Sequence, residues 1–134
     1  MTQESITMAQ FIAKHDLRAT IRRADSNPNM DSNHPMNHYK VVIRHESGAR
    51  MTTYFSTGMG WTQEPSLAEV LDCLASDSSG IEQSFEAWAG EYGYDADSRK
   101  AESVYKACKR QAKKLKNLLG HSAFEELLYD VERL

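Results

Sequence analysis

The sequence predicts an α+β protein with a three-stranded antiparallel sheet in its first half and helices in its second. Apolar and polar residues alternate with period two through much of residues 19–57, whereas apolar residues recur at helical spacing from residue 66 to the end. The chain has 134 residues, of which 40% are hydrophobic and 26% charged, as expected for one soluble globular domain spanning residues 1–134.

Three strands are predicted over residues 19–24, 38–45 and 50–57. The first is rich in β-branched residues, and the other two alternate so that each presents one apolar face. The short turn Glu46–Ala49 separates the second strand from the third, and strands joined so closely pair antiparallel. We therefore expect a meander with helices covering one face. A short amphipathic helix over residues 5–16 is expected to precede it.

About four helices are predicted after the sheet. They begin at polar caps, in chain order Ser66, Ser84, Asp95 or Asp97, and Ser122. The first has a capping-box partner in Glu69, three residues after Ser66. The third is the longest, because its apolar residues keep a period of about 3.6 residues as far as Gly120, a residue suited to ending a helix.

Both cysteines, Cys73 and Cys108, fall among the apolar positions of predicted helices. This placement predicts buried free thiols rather than a disulfide or a metal site. The chain has no basic segment followed by an apolar run at its start, and no apolar stretch of roughly 20 residues. A cytoplasmic protein without a membrane partner is predicted.

The loop of residues 25–37 is rich in Asn, Asp, Ser and Pro, which is typical of a structured turn. Its start, Asp25–Asp31, spaces oxygen ligands at alternate positions, as a calcium-binding loop does. An EF-hand loop also needs glycine at its sixth position and glutamate at its twelfth, where this chain has Met30 and Met36. A turn without calcium is therefore predicted.

Three histidines, His34, His38 and His45, lie in and after this loop. The spacing of the first two suits one metal ion when it occurs on a helix, but Pro35 argues against a helix here. A structural zinc site would also need two more ligands. No metal or other cofactor is predicted, and any role of His34 and His38 is left open.

The segment Gly58–Trp61 leads from a predicted strand towards a helix, a setting in which a loop can bind phosphate. It lacks the lysine of a P-loop, and Glu64 would repel an anion. Trp61 is a candidate contact residue, since tryptophan is favoured at interfaces. Ser56 or Cys73 paired with a histidine would suit nucleophilic catalysis, but no local signature supports either pairing. The chain is predicted not to be an enzyme.

Charge is segregated along the chain. Residues 51–98 contain nine carboxylates and no lysine or arginine, whereas residues 99–116 contain eight basic residues and one acid. Such segregation steers association with a charged partner. The candidate partner-binding residues are acids and one aromatic: Glu64, Glu69, Asp72, Asp77, Glu82, Glu86 and Trp61. The acids could imitate a phosphate backbone, or they could be ordinary helix-start acids that partly neutralise a lysine face.

The basic segment is predicted to form one continuous face of the long helix. Its candidate nucleic-acid-binding residues recur at spacings of three and four: Lys106, Lys109, Arg110, Lys113 and Lys116. Such a face can bind phosphates or an acidic protein surface. It can equally be a solvated helix face, because lysines near a helix end suit the helix dipole.

The resemblance to a known family rests on five segments: Asp25–Asp31, Arg50–Gly58, Pro65–Asp77, Ser84–Trp88 and Gly93–Glu102. In this order they resemble blocks of a small uncharacterised family of proteins from tailed phages and prophages, over about residues 25–120. The resemblance implies a phage or mobile-element origin and action in the cytoplasm of a bacterial host. It implies no activity and no catalytic residues.

Two functions follow as hypotheses. The first is an anti-defence inhibitor of the anti-CRISPR kind, whose acidic surface occupies a nucleic-acid-handling surface of a bacterial defence protein or nucleoprotein complex. The alternative is a phage accessory nucleic-acid-binding protein that uses the basic helix of residues 99–116. The sequence does not indicate which charged surface is the working one, nor the oligomeric state.

Overall fold

A computed structural model of the chain describes residues 5–29 and 35–134. In chain order, its elements are α1 (Met8–Lys14), β1 (Arg18–Ala24), β2 (Met36–Arg44), β3 (Arg50–Gly58), α2 (Leu67–Gly80), α3 (Phe85–Glu91), α4 (Arg99–Leu119) and α5 (His121–Tyr129). The predicted α+β architecture is confirmed, with an N-terminal helix, a three-stranded sheet and four C-terminal helices.

The strands form a meander in the order β1-β2-β3, and both pairings are antiparallel. Val41 on the central strand β2 pairs with Ile21 of β1 and with Thr53 of β3. Since side chains alternate between the faces of a strand, this register places apolar residues of all three strands on one face. That face packs against the helices.

The main hydrophobic core lies between this face of the sheet and helices α1, α2, α4 and α5. Its most deeply buried members come from every layer: Met8, Phe11, Val41, Ile43, Val70, Leu71, Leu115 and Leu127. A second, smaller cluster centres on Trp88 and is built largely from aromatic rings: Phe85, Tyr94 and Tyr105 surround it. It joins α3 to the first half of α4.

Two predicted helix starts are confirmed and two are wrong. Ser66 and Ser84 cap α2 and α3 through their side chains. The cap of α4 is Ser98, whose side chain accepts from the backbone N–H of Ala101, whereas Asp95 accepts from the N–H of Asp97 and so stabilises the preceding turn. Gly120 ends α4 in a positive-φ conformation and also precedes α5, so Ser122 already lies inside that helix.

The cysteines are free thiols, as predicted, but neither is fully buried. Cys73 is exposed on α2, and Cys108 is half-buried on α4. Helical periodicity predicted both residues among the apolar positions, but it does not determine how far neighbouring side chains cover each thiol.

Candidate nucleic-acid interface

The basic face of α4 comprises the five predicted residues, all of them exposed, together with the exposed Arg99 and Lys114. At 3.6 residues per turn, these seven side chains fall within roughly 160° of the helix circumference and extend for about 25 Å along it. The opposite side of the helix is anchored in the core by Leu115 and Leu118. The cations are therefore held on one rigid, outward-facing stripe.

Two contacts within α4 order side chains on this stripe. Lys106 forms an ion pair with Glu102 at 2.8 Å, and its hydrogen bond lowers the pKa of that carboxyl. Lys109 lies over the ring of Tyr105, with 5.5 Å between its Nζ and the ring centroid. Within residues 5–29 and 35–134, the pair with Glu102 is the only ion pair of the basic face of α4, so six cations are available to an anionic partner.

The sheet contributes a second basic surface, which we call the open face. It is the face turned away from the helices, and its side chains form four rows across the strands: Arg18, Arg44, Arg50; Thr20, Val42, Thr52; Arg22, Lys40, Tyr54; and Ala24, His38, Ser56. The three strands contain no aspartate or glutamate at all. Five cations therefore share this face with no acid from the sheet.

Like charges stand directly opposite one another on the open face. Arg44 is in register with Arg18 on one side and with Arg50 on the other, and Arg22 is opposite Lys40. The Arg44 guanidinium donates to the Thr20 hydroxyl at 2.8 Å, which holds this cation against the sheet. Arg18 also forms an ion pair with Asp16, just before β1, at 3.6 Å, which partly offsets its repulsion of Arg44. Directly opposed like charges destabilise a sheet, so the Arg44–Arg50 and Arg22–Lys40 pairs cost stability unless an anion is bound.

The open face and the basic face of α4 meet along the edge strand β3. Lys114 donates from Nζ to the backbone carbonyl of Thr52 at 3.4 Å. A groove of about 480 Å³ runs between strand and helix, and Arg50, Lys114 and Asn117 line it. The two basic surfaces are thus contiguous.

The predicted acidic residues are distributed over α2, α3 and the segments beside them, and four have partners within the protein. Glu69 completes the capping box of α2 with Ser66, whose backbone N–H donates to it at 3.3 Å. Asp72 accepts from the backbone N–H of Leu134 at 3.2 Å. These two carboxylates therefore stabilise a helix start and the C-terminal segment.

The other two partnered acids also make structural contacts. Asp77 accepts from the thiol of Cys73 at 3.8 Å, and Glu82 accepts from the hydroxyl of Tyr129 at 2.7 Å. Asp72 and Asp77 are five residues apart on α2, so their directions differ by about 140°. The acids of α2 consequently do not form one continuous patch.

The remaining two acids are Glu64 and Glu86, and exposed apolar residues lie near Glu64. In the described part of the chain, neither Glu64 nor Glu86 has a hydrogen-bonding or ionic side-chain partner. Near Glu64, Met59 and Trp61 keep 59% and 52% of their surface exposed. The buried Asn37 side chain donates to the carbonyls of Gly58 and Trp61 at 3.2 and 3.0 Å, which fixes this loop.

The histidines are not brought together. His38 shares a 2.7 Å hydrogen bond with Ser56, whereas His45 bonds Ser47 in the β2–β3 turn, about 24 Å further along the strand. Asn27 donates to the Ser56 hydroxyl at 2.9 Å, so this hydroxyl can give its proton to His38. In residues 5–29 and 35–134, no carboxylate orients the His38 ring as a catalytic triad requires. His34 lies outside the described residues.

The start of the polar loop has the predicted turn. The backbone N–H of Asn29 donates to the Asn27 side chain at 2.9 Å, which is an Asx turn. Because Asn27 also bonds Ser56, this turn is attached to the end of the open face. Met30 and Asp31, which entered the comparison with calcium loops, lie outside the described residues.

A cavity between β3, α2 and α4 contains both thiols. It measures about 60 Å³, and Cys73, Asp77, Cys108 and Gln111 are among its lining residues. Although Cys73 is exposed, it also lines this cavity, and desolvation there, reinforced by the Asp77 charge, raises its pKa to about 12; the same two causes raise the pKa of Cys108 to about 11. Protonated thiols are poor nucleophiles, and the cavity is far smaller than ordinary ligand sites of about 300–1,000 Å³.

Comparisons with protein-family models, with curated proteins and with solved structures find no match to this chain. The resemblance to phage proteins and the absence of enzymatic activity therefore stay predictions. No helix in the described part of the chain is long and apolar enough to cross a membrane.

Proposed function

We propose that this protein binds nucleic acid through the basic face of α4 by neutralising backbone phosphates. The proposal rests mainly on one observation, the stripe of seven exposed cations that extends for about 25 Å along the helix. Cations of this kind supply the sequence-independent part of nucleic-acid affinity, because their binding releases counterions from the phosphates. The core contacts of Leu115 and Leu118 keep the stripe rigid, so binding would require little reorganisation.

The internal contacts of the acidic residues favour this function over one that uses the acidic stretch. Four of the six candidate acids accept a hydrogen bond within the protein, in a helix cap, from another residue of α2 or from another segment, and the remaining two are Glu64 and Glu86. By contrast, five of the seven cations have neither an ion pair nor a hydrogen bond within the described residues; the exceptions are Lys106, which pairs with Glu102, and Lys114, which donates to the Thr52 carbonyl.

The direct test replaces Lys106, Lys109 and Lys113 together by glutamine and measures binding of fluorescent oligonucleotides at moderate salt. We expect affinity to fall about tenfold, because three phosphate contacts are removed. The matched control replaces the same lysines by arginine, which keeps both charge and helix propensity, and it should bind like the wild type. Equal binding by the glutamine and arginine variants would contradict the proposal.

A second candidate is an anti-defence inhibitor, of the anti-CRISPR kind, encoded by a phage or mobile element. It is favoured by the exposed Met59 and Trp61 near Glu64, since exposed aromatic residues are typical anchors of protein interfaces. On this account the surface contacts a bacterial defence nucleoprotein complex, where carboxylates occupy basic residues of the target.

The test of this candidate is a purified defence complex whose DNA binding is measured with and without the protein. Inhibition should be lost when Glu64 and Glu86 are changed to lysine, and it should survive Glu46→Lys in the β2–β3 turn. The candidate fails if the wild type does not inhibit, or if the double variant inhibits equally well.

A further inference from the structure

We infer that the open face of the sheet is itself a binding surface for single-stranded nucleic acid. This inference rests on the proposed function for the class of ligand, but it uses a different surface and names the form of the nucleic acid. The open face carries five cations and no acid from the sheet, so its charge is complementary to a phosphate backbone.

Protection of sheet edges does not account for these cations. Charged residues on edge strands commonly prevent sheets from pairing with other chains, and this could explain Arg18 and Arg22 on β1 and Arg50 on β3. Lys40 and Arg44, however, lie on the central strand, which is paired on both sides. Their opposition to neighbouring cations costs stability without protecting any edge. A bound polyanion would offset that cost.

The width of the sheet excludes insertion into a duplex groove. A major groove of about 12 Å admits a helix or a two-stranded ribbon. Three strands with spacings of about 4.8 Å present a broader surface, and helices cover the opposite face. A duplex could touch the open face only with its backbone, whereas a single strand can lie across it.

Ring-bearing side chains on the open face suit unstacked bases. Tyr54 is half-buried and stands beside Lys40 in the row that begins with Arg22, and His38 lies in the next row. Bases of a single strand stack on such rings while nearby cations bind the phosphates. Thr20 and Thr52 lie in the row between the two rows that contain cations. Their side chains are small, so this part of the open face protrudes little.

The test uses fluorescent probes of roughly 20 nucleotides: oligothymidine, oligouridine and a mixed-sequence duplex. The wild type should bind the single strands more tightly than the duplex, and comparison of the first two probes separates DNA from RNA. Arg22→Gln and Lys40→Gln should each weaken single-strand binding about fivefold. Arg23→Gln is the matched control, because Arg23 is the next residue of β1 and lies on the other face, over the Tyr39 ring.

A second pair of variants tests stacking. Tyr54→Leu should weaken single-strand binding at least about fivefold, whereas Tyr54→Phe, which keeps the ring, should bind like the wild type. Thermal melting of each variant verifies that the fold is retained.

The outcomes separate the two proposals. If Arg22→Gln and Lys40→Gln bind like the wild type while the glutamine variant of α4 loses affinity, the proposed function stands and the inference about the open face is wrong. The inference is also wrong if the wild type binds the duplex more tightly than the single strands. It is likewise wrong if polyglutamate of matched charge displaces the single-stranded probe as well as a single-stranded oligonucleotide does. If the wild type binds none of the three probes, both proposals fail.

Discussion

Arg44 on the central strand stands directly opposite Arg50 on β3, and both side chains lie on the open face of the sheet. This pairing connects the stability of the sheet to its charge, because opposed cations repel each other in the absence of an anion. It also places Arg50 at the groove where the open face meets α4. The same residue thus belongs to both basic surfaces.

Replacing Arg50 by threonine should stabilise the free protein while weakening its binding of nucleic acid. We expect the free energy of unfolding to rise by about 0.2–1 kcal/mol at low salt, since the repulsion is removed and threonine suits an exposed strand position. Urea denaturation at low and high salt measures this, and the gain should shrink as salt screens the charges. A loss of more than about 1 kcal/mol would show that Arg50 has a stabilising contact.

Glu126 should make stability depend on pH in the acidic range. Although burial opposes ionisation of this carboxyl, hydrogen bonds from His15 at 2.6 Å and Lys14 at 2.5 Å outweigh it and lower its pKa below the ordinary 4.5. The stabilisation is therefore present above the ordinary pKa and is lost as pH falls through the lower folded-state value.

Glu126→Gln should consequently lower the free energy of unfolding by about 1 kcal/mol at neutral pH and have a smaller effect at pH of about 3, which is below the ordinary pKa. Urea titrations at both pH values provide the measurement. Glu125→Gln is the control, because Glu125 is more exposed and, among the residues that the structure describes, pairs only with His121 on its own helix. An equal effect of Glu126→Gln at both pH values is the contradicting result.

Both thiols should react slowly with iodoacetamide. A pKa of about 12 for Cys73, against the ordinary 9.0, leaves about a thousandfold less thiolate at neutral pH. Rates measured by mass spectrometry should rise with pH to beyond 10 for both cysteines. Cys73 is the sharper test, because its exposure alone would suggest easy modification. Alkylation of Cys73 as fast as that of a free cysteine peptide would contradict the assigned pKa.

Local signals in the sequence were sufficient for the fold. Alternation in β2 and β3, the short turn between them, and the Ser66–Glu69 capping box each depend on neighbouring residues, so the elements could be predicted one by one. The start of α4 could not, since Asp95, Asp97 and Ser98 are all good caps and only the turn preceding the helix decides between them.

The open face was missed for a different reason. Its cations lie four residues apart in β1 (Arg18 and Arg22) and in β2 (Lys40 and Arg44), with Arg50 alone in β3, so no single segment of the sequence shows a basic cluster. Only the register brings Arg44 between Arg18 and Arg50. The available signal was that every charged residue of the predicted strands is basic, with Lys40 and Arg44 both on the polar side of the same strand.

The acids of residues 51–98 were predicted to share one surface, and the sequence could not show that many of them have partners within the fold. Nine carboxylates without a basic residue suggest one surface in the sequence, but folding assigns several of them to caps and internal bonds, such as Glu69 with Ser66 and Glu82 with Tyr129. A count along the chain does not reveal which acids remain available.

The salt dependence of single-strand binding tests the central claim most directly. The logarithm of the affinity of the wild type for oligothymidine should fall linearly with the logarithm of the salt concentration, with a slope of about −0.7 for each phosphate neutralised. Changing Lys106, Lys109 and Lys113 to glutamine should reduce the magnitude of that slope by about 2, and Arg22→Gln by about 0.7, while Arg23→Gln leaves it unchanged. A wild-type affinity that is insensitive to salt, or one slope shared by all four proteins, would contradict phosphate binding by these two surfaces.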